Sequence, residues 1–557
     1  MLKILILSLI FVNFAICTAE SSYLDSDPLF DFKIESIHKL IKSNKWSCVD
    51  VISYFLERSA TYDPNVHAII SYNPNAIKRA TQLDQQYRNN PNNISSLHCI
   101  PVIVKDNIDI AGIPTTAGIR PFRNQVPEKN AMVIDRLLKE GAVLISKANM
   151  AQLAIGALYQ SDQVGLCLNP FDPRRTCSGS SSGSAAGISA GFGVVSLGSD
   201  TGGSIIGPAS FNGVFGLRPP VDSNLIDGVL PVNLRKDSVG PFAKHIDDLI
   251  HTYSVLTDNS NLRIELAKTI DAKTLKVLIF KDFFDSFQHE SANYKYDYFV
   301  DPILKPLIND SLTRIKNSGI QIVERYLTQT EKDSLTRLSK AVDESTLQCT
   351  IACLPKSYQD YWADAQRFGQ DKPFSSFRNL MASPLLDIYW KTAFDAANLN
   401  LDMDLSVLCN GGCLTFDELN RQFLSFFNEL VPADIDGLFL PSITSKVKLH
   451  SEAQLAGKDD NFGNLAIASG NGFLIMPSGF TPANQNEPDG LPFAMALVFR
   501  SNRQVNAFKV AKLYEMKQSF AKLPSSVPLL SKKYQQDKNV FTVVWNFFTS
   551  LFNFFRF

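Results

Sequence analysis

The 557-residue chain has no basic run and no excess of either charge: 54 Lys and Arg stand against 55 Asp and Glu, a formal charge of -1. That balance has nothing to track a phosphate backbone, so it argues against nucleic acid as a partner. Between residues 30 and 525 there is also no internal repeat and no long low-complexity linker. The first apolar run, Ile4 to Cys17, is shorter than the ~20 residues a spanning helix needs. What is present is ordinary globular material, 45% hydrophobic and 20% charged, enough for a large core. Residues 25–525 read as a single domain.

The ends differ from that body. "MLKILILSLIFVNFAICTAESS" has one lysine, an apolar stretch, and Cys17 and Ala19 at the −3 and −1 positions of a cleavage point. That is the pattern of a secretory signal peptide, residues 1–19. Without Cys17, eight cysteines remain: Cys48, Cys99, Cys167, Cys177, Cys349, Cys353, Cys409 and Cys413. An even number in an exported chain permits disulfides without proving them. Cys349 and Cys353 could lie one helical turn apart, whereas "CNGGC" (409–413) reads as a turn. Side by side, the two segments could be stapled by a pair of bridges; zinc is the alternative, since its structural sites use similar spacings. Asn93 and Asn309 begin glycosylation triplets. In the tail 540–557, polar residues at Thr542, Asn546, Thr549, Asn553 and Arg556 form one narrow helical stripe against Phe, Val, Leu and Trp. That suits an interfacial membrane helix; a packing element or a GPI-attachment signal remains open.

Residues 34–90 carry apolar residues at helical spacing. At "CIPVIVKDNIDI" the period changes, and the compact run Ile100–Val104 reads as a buried strand ending at Lys105. "AMVIDRLLKEGAVLISKANM" then reads as helix, glycine turn at Gly141, and strand. This alternation argues for an α/β architecture. "SGSSSGSAAG" (178–187) has the composition of a flexible linker. It is followed by a helix of small residues, a strand "VVSLGSD" and a Gly-rich loop "TGGSIIGPASFNGVFGL". That is more apolar material than a disordered linker holds.

One or more of those serines therefore has another purpose. Gly179–Gly183 matches the literal G-x-S-x-G elbow, which needs a buried strand just before it. The preceding "NPFDPRRTCS" is polar with two prolines, and His245, His251, His289 and His450 have no suggestive setting. A different constellation explains more. Lys105, Ser180 and Ser204, within "PVIVKDNIDIAGIPTTAG", "SGSSSGSAAG" and "GSDTGGSIIGPASFNGVFGLRPP", resemble the amidase signature family. The resemblance runs from about residue 30 to 520, is densest at 98–220, and includes a closing segment "NLAIASGNGFLIMPSGFT…DGLPFAMALVFRSN". It is nearest in motif to peptide-amidase-like or fatty-acid-amide-hydrolase-like members.

The resemblance implies an α/β fold, a large mixed central sheet covered by helices on both faces. It implies a signature core at about 95–255 and 430–520, and a more variable helical section at about 260–430. It also implies cleavage of a carboxamide C–N bond through an acyl-enzyme, with no cofactor and no metal. Ser204 becomes the nucleophile, Ser180 the cis-serine 24 residues before it, and Lys105 the base. Thr201, Gly202 and Gly203 fall where the family offers backbone N–H groups to the oxyanion, and Ser181 matches a supporting serine. Ile206 stands where many members have Arg, so Asp200 must find another partner; Ser182 and Arg218 replace commoner Gly and Lys.

Elementary chemistry agrees with this assignment. Lysine is protonated at neutral pH unless desolvated, and the end of an apolar strand is a dry place. Asp106 would oppose that if it faced the amine, so it is expected to point away. The implied partner is a small-molecule or lipid amide, and the oligomeric state is not legible. Two other functions are weighed: a catalytically silent binding protein of the same fold, and a glutamyl-tRNA amidotransferase A-like component.

Overall fold

The computed structural model describes residues 32–530 apart from 93, 156–159, 222–224, 285–286, 292–293, 299, 369–373, 375, 388–389, 392–402, 453–468 and 529. The signal segment 1–19, the tail 540–557 and Asn93 lie outside the described residues. Asn309 lies exposed on the helix Lys305–Asn317.

Eleven strands form one mixed sheet. In chain order they are β1 (Ile69–Tyr72), β2 (Pro101–Lys105), β3 (Val143–Ala148), β4 (Val195–Asp200), β5 (Phe215–Arg218), β6 (Ser238–Ala243), β7 (Lys276–Phe280), β8 (Gln321–Arg325), β9 (Gly437–Pro441), β10 (Gly472–Phe480) and β11 (Pro492–Phe499). Across the sheet the order is β1-β3-β2-β4-β6-β5-β10-β11-β9-β7-β8. β2 runs parallel to both β3 and β4, β7 is parallel to β8 and β9, and the remaining pairs are antiparallel. This is the expected α/β class. Every residue of β2, β3, β4 and β6 is buried, as it must be for strands covered on both faces. Polar side chains on such strands must find their partners inside the protein, as Lys105, Lys147 and Ser196 do.

Three helices stand where 34–90 predicts them: α1 (Ile34–Lys42), α2 (Cys48–Tyr62) and α3 (Ala76–Asn89). The strand β1 lies between α2 and α3, where the sequence gives no sign of it. Its four residues are too few to show alternation, and they become a strand only by pairing with β3. A Ser47–Asp50 capping box starts α2. The Cys48–Cys99 disulfide then ties that helix to the residues leading into β2. α4 (Met132–Lys139) and β3 follow as expected, with Gly141 at φ +84 in the turn. α5 (Ser182–Ser189) is the expected helix of small residues, buried throughout, and α6 (Ile206–Asn212) follows the Gly-rich loop.

Farther along the chain, α7 (Gln329–Ala363) and α8 (Leu405–Leu430) lie against each other, joined by Cys349–Cys413 and Cys353–Cys409. The cysteines therefore form a staple, and the bridges use up the thiolates that zinc would need. The turn expected at "CNGGC" is overturned: residues 409–413 are helical, inside α8. Each glycine costs a helix interior about 1 kcal/mol. Here a 26-residue helix, capped by Asp404 at Ser406 and Val407, carries both glycines. Two bridges one turn apart also hold that turn in register with α7. Cys167 and Cys177 are buried thiols, their sulfurs 2.8 Å apart across a short hairpin.

Candidate active site

Lys105 closes β2 with its side chain completely buried. Its Nζ donates to Ser180 Oγ at 2.7 Å, Ser199 Oγ at 2.9 Å and Ser199 O at 3.0 Å. Burial is the main influence on the amine and lowers it to about 7; the carboxylates of Asp200 and Asp237 pull the other way. Asp106 does turn away. It faces Lys147 at 3.3 Å and accepts from Thr116 N and Oγ1.

Ser180 follows a cis peptide bond from Gly179, the geometry implied by the resemblance. Like Lys105, it is buried. Ser181 N donates to Ser204 O at 3.2 Å, which joins the two serine-bearing loops, and Ser181 Oγ shares Ser199 O with the lysine. Ser204 is only half-buried, and Gly202 beside it is exposed. Ser204 is therefore partly open to solvent while the Lys105 amine stays dry.

The loop that the resemblance assigns to the oxyanion does not offer all of its N–H groups freely. Gly203, at φ +106, spends its N–H on Asp200 Oδ1 at 2.9 Å, and Ile205 N donates to Asp200 Oδ2 at 2.6 Å. Among the described residues, no protein group accepts from the N–H of Thr201, Gly202 or Ser204. Those three N–H groups are left without a protein acceptor, and Gly203 instead shapes the turn. A residue with a Cβ strongly disfavours that φ. The partner that Asp200 required is Arg218, 3.1 Å away, with both side chains fully buried.

Three contributors escape the sequence reading. Ser199 and Asn107 extend the lysine's network, with Asn107 Nδ2 at 3.0 Å from Ser199 Oγ. Asn107 lies in the turn just after β2, beyond the strand's alternation, so no local pattern marks it. Asp237, buried and raised to about 6 chiefly by burial, accepts from Thr201 Oγ1 at 2.5 Å; no local pattern marks it. Two of the histidines are occupied elsewhere: His245 Nδ1 lies 3.0 Å from Glu515, and His251 Nε2 contacts Arg263.

Gly183 and Gly187 of "SGSSSGSAAG" have packing roles. A Cβ on Gly183 would lie 2.2 Å from Ala68 O and 2.5 Å from Asn149 N, backbone atoms that cannot swing aside. Gly183→Ala is expected to cost about 2–3 kcal/mol by overpacking, read as a lowered urea midpoint. Gly202→Ala, with nothing within 4 Å, should leave that midpoint unchanged.

With this geometry in place, similarity to known proteins becomes informative. Residues 50–293 match the sequence profile of the amidase family. They belong to that family. The A component of the glutamyl-tRNA(Gln) amidotransferase of Thermoanaerobacter pseudethanolicus is 30% identical over 307 residues, 53% of this chain and 60% of that protein. The corresponding protein of Symbiobacterium thermophilum is 36% identical over 221 residues, 40% of this chain and 45% of that one. The chain thus spans about half the length of these curated relatives. Among solved structures, the peptide amidase of Stenotrophomonas maltophilia superposes with a TM-score of 0.68 at 21% identity, covering 90% of this chain and 99% of that one. A bacterial aryl acylamidase gives 0.65 at 17%, covering 90% and 97%. Over most of its length, then, this chain has the fold of the amidase signature enzymes.

Proposed function

We propose that the protein hydrolyses a carboxamide C–N bond through an acyl-enzyme on Ser204. The observation that carries the proposal is the buried Lys105 amine, 2.7 Å from the Ser180 hydroxyl. An amine of pKa about 7 is half neutral at physiological pH and can take a proton. Ser204 Oγ attacks the carbonyl carbon, its proton passes to Ser180, and Ser180 gives its own to Lys105. The N–H groups of Thr201, Gly202 and Ser204 receive the developing oxyanion. The relay then runs backward, the C–N bond breaks, and the leaving amine departs protonated. Water, deprotonated by the same relay, attacks the ester and releases the acid and Ser204.

Small or lipid-linked amides are the proposed substrates, and the test is a panel of fatty acyl, aryl and peptide amides. Turnover of at least one, absent from Ser204→Ala, supports the reading. Failure of Ser204 to react with a fluorophosphonate, with no turnover on the panel, would favour the silent binding protein. The amidotransferase relatives favour a second reading, in which the amide is glutamine and the ammonia passes to a partner chain. Glutamine in the panel, as sole substrate hydrolysed, would select it.

We also read residues 1–19 as a secretory signal and 540–557 as a membrane-interface helix. Three disulfides in one chain fit an oxidising compartment, and glycosylation at Asn93 or Asn309 would accompany export. Among the described residues no helix is long and apolar enough to cross a membrane; the attachment is proposed on the apolar pattern of 540–557 alone. Deleting 540–557 should move the protein from the membrane to the soluble fraction. Unchanged partitioning would defeat the anchor.

A further inference from the structure

The segment Val232–Asp237, which leads into β6, touches the oxyanion loop at one end and the stapled helices at the other. Asp237 holds Thr201 Oγ1 at 2.5 Å, and the same carboxylate accepts from Val232 N at 2.8 Å and Asn233 N at 3.0 Å. Besides the β6–β4 pairing beside it, the Thr201 side chain is thus tied through Asp237 to residues 232–233. Those residues are gripped from outside the sheet. Asn233 Nδ2 donates to Thr350 Oγ1 at 3.1 Å and lies 3.5 Å from Cys349 Sγ, both on α7. Arg235 spans both helices. Its Nη1 stands 3.6 Å from Cys353 Sγ and 3.7 Å from Cys409 Sγ, the two sulfurs of one bridge. Its Nε reaches Asp417 at 3.2 Å, and Nη2 reaches Asn410 Oδ1 at 3.2 Å. Lys236 Nζ sits 4.6 Å from the centre of the Phe416 ring on α8.

We propose that the disulfide-stapled helix pair α7–α8 is the brace of the oxyanion loop, with Arg235 as the positioning residue that transmits it through Asp237 to Thr201. None of these groups touches the reacting atoms. The brace acts by keeping the N–H groups of Thr201, Gly202 and Ser204 aimed, and a small misplacement of such donors is felt in rate rather than in substrate affinity. Loosening either the arginine or its sulfur platform frees the same stretch.

The inference rests on Ser204 being the acylated residue, and the test separates the two. The full chain is labelled with a fluorophosphonate, and the second-order rate constant of Ser204 modification is compared among wild type, Arg235→Ala, C353S/C409S and the combined triple variant. Cys349–Cys413 is left intact to hold the helices. An unlabelled wild type would defeat the acyl-enzyme reading itself. With wild type labelled, the brace predicts a roughly tenfold slower rate in Arg235→Ala and in C353S/C409S. The triple variant should be no more than about twofold slower than either, because both cuts sever one connection. With any amide turned over, kcat should fall by a similar factor while KM stays within about twofold. Unchanged labelling in Arg235→Ala would overturn the brace, whatever its effect on Tm. So would losses that multiply in the triple variant.

Discussion

Ser204→Ala is expected to lower kcat for any amide the protein turns over by on the order of 10⁶, to the level of transition-state binding alone. The size follows from the chemistry. Alanine removes the only atom that forms the acyl-oxygen bond, and Lys105 and Ser180 then have a base with nothing to activate. Ser180→Ala should cost less, on the order of 10²–10⁴, the usual worth of a positioned proton-transfer group. Ser204 keeps its oxygen in that variant, but it loses the hydroxyl that stands 2.7 Å from the lysine. The order of the two losses is the discriminating result. A larger loss at Ser180 than at Ser204 would reverse their roles, and equal activity in wild type and Ser204→Ala would remove the mechanism. Substrate binding offers the control: Ser204 is half-buried and its N–H is backbone, so KM should barely move.

Much of this arrangement is legible in the sequence because it is local. Lys105 ends an apolar run whose period is that of a strand, and its burial follows from the run itself. The helix Ser182–Ser189 announces itself by small residues, and the apolar segments around it are what exclude a linker. What is not legible depends on register across the sheet. Arg218 ends β5 and Asp200 ends β4, with β6 between them. Their ion pair is set by strand order, and only the need for a partner is visible beforehand. Asp237 reaches Thr201 because Ser238 and Asp200 pair across β6 and β4, a register no local pattern reports. The helical "CNGGC" escapes for the opposite reason. Its local signal, two glycines, is real and points to a turn, and it is outweighed by two covalent bonds to α7.

Lys105→Met should make the protein more stable and nearly inactive at once. The lysine has a pKa of about 7 in the fold and an ordinary value near 10.4 when unfolded. Between those values the unfolded chain binds one proton more than the native one, so stability rises with pH across that window. Below about pH 7 both states hold the proton, and the full cost of a buried ammonium is present, on the order of 4–5 kcal/mol. Methionine removes that cost but leaves Ser180 and Ser199 without their donor, a loss of about 1–3 kcal/mol. The net gain should therefore be about 1–4 kcal/mol at pH 6, read from urea unfolding. By pH 9 much of it should be gone, because the wild type has recovered most of its own penalty. Activity runs the other way. Wild-type kcat/KM should climb with unit slope as pH rises toward about 7 and level off above it, since only the neutral amine accepts the proton. The variant should lie 10²–10⁴ lower and lack that limb. A variant that loses stability at pH 6, or a wild-type profile flat from pH 5 to 9, would mean that the amine is not held uncharged in the dry end of β2.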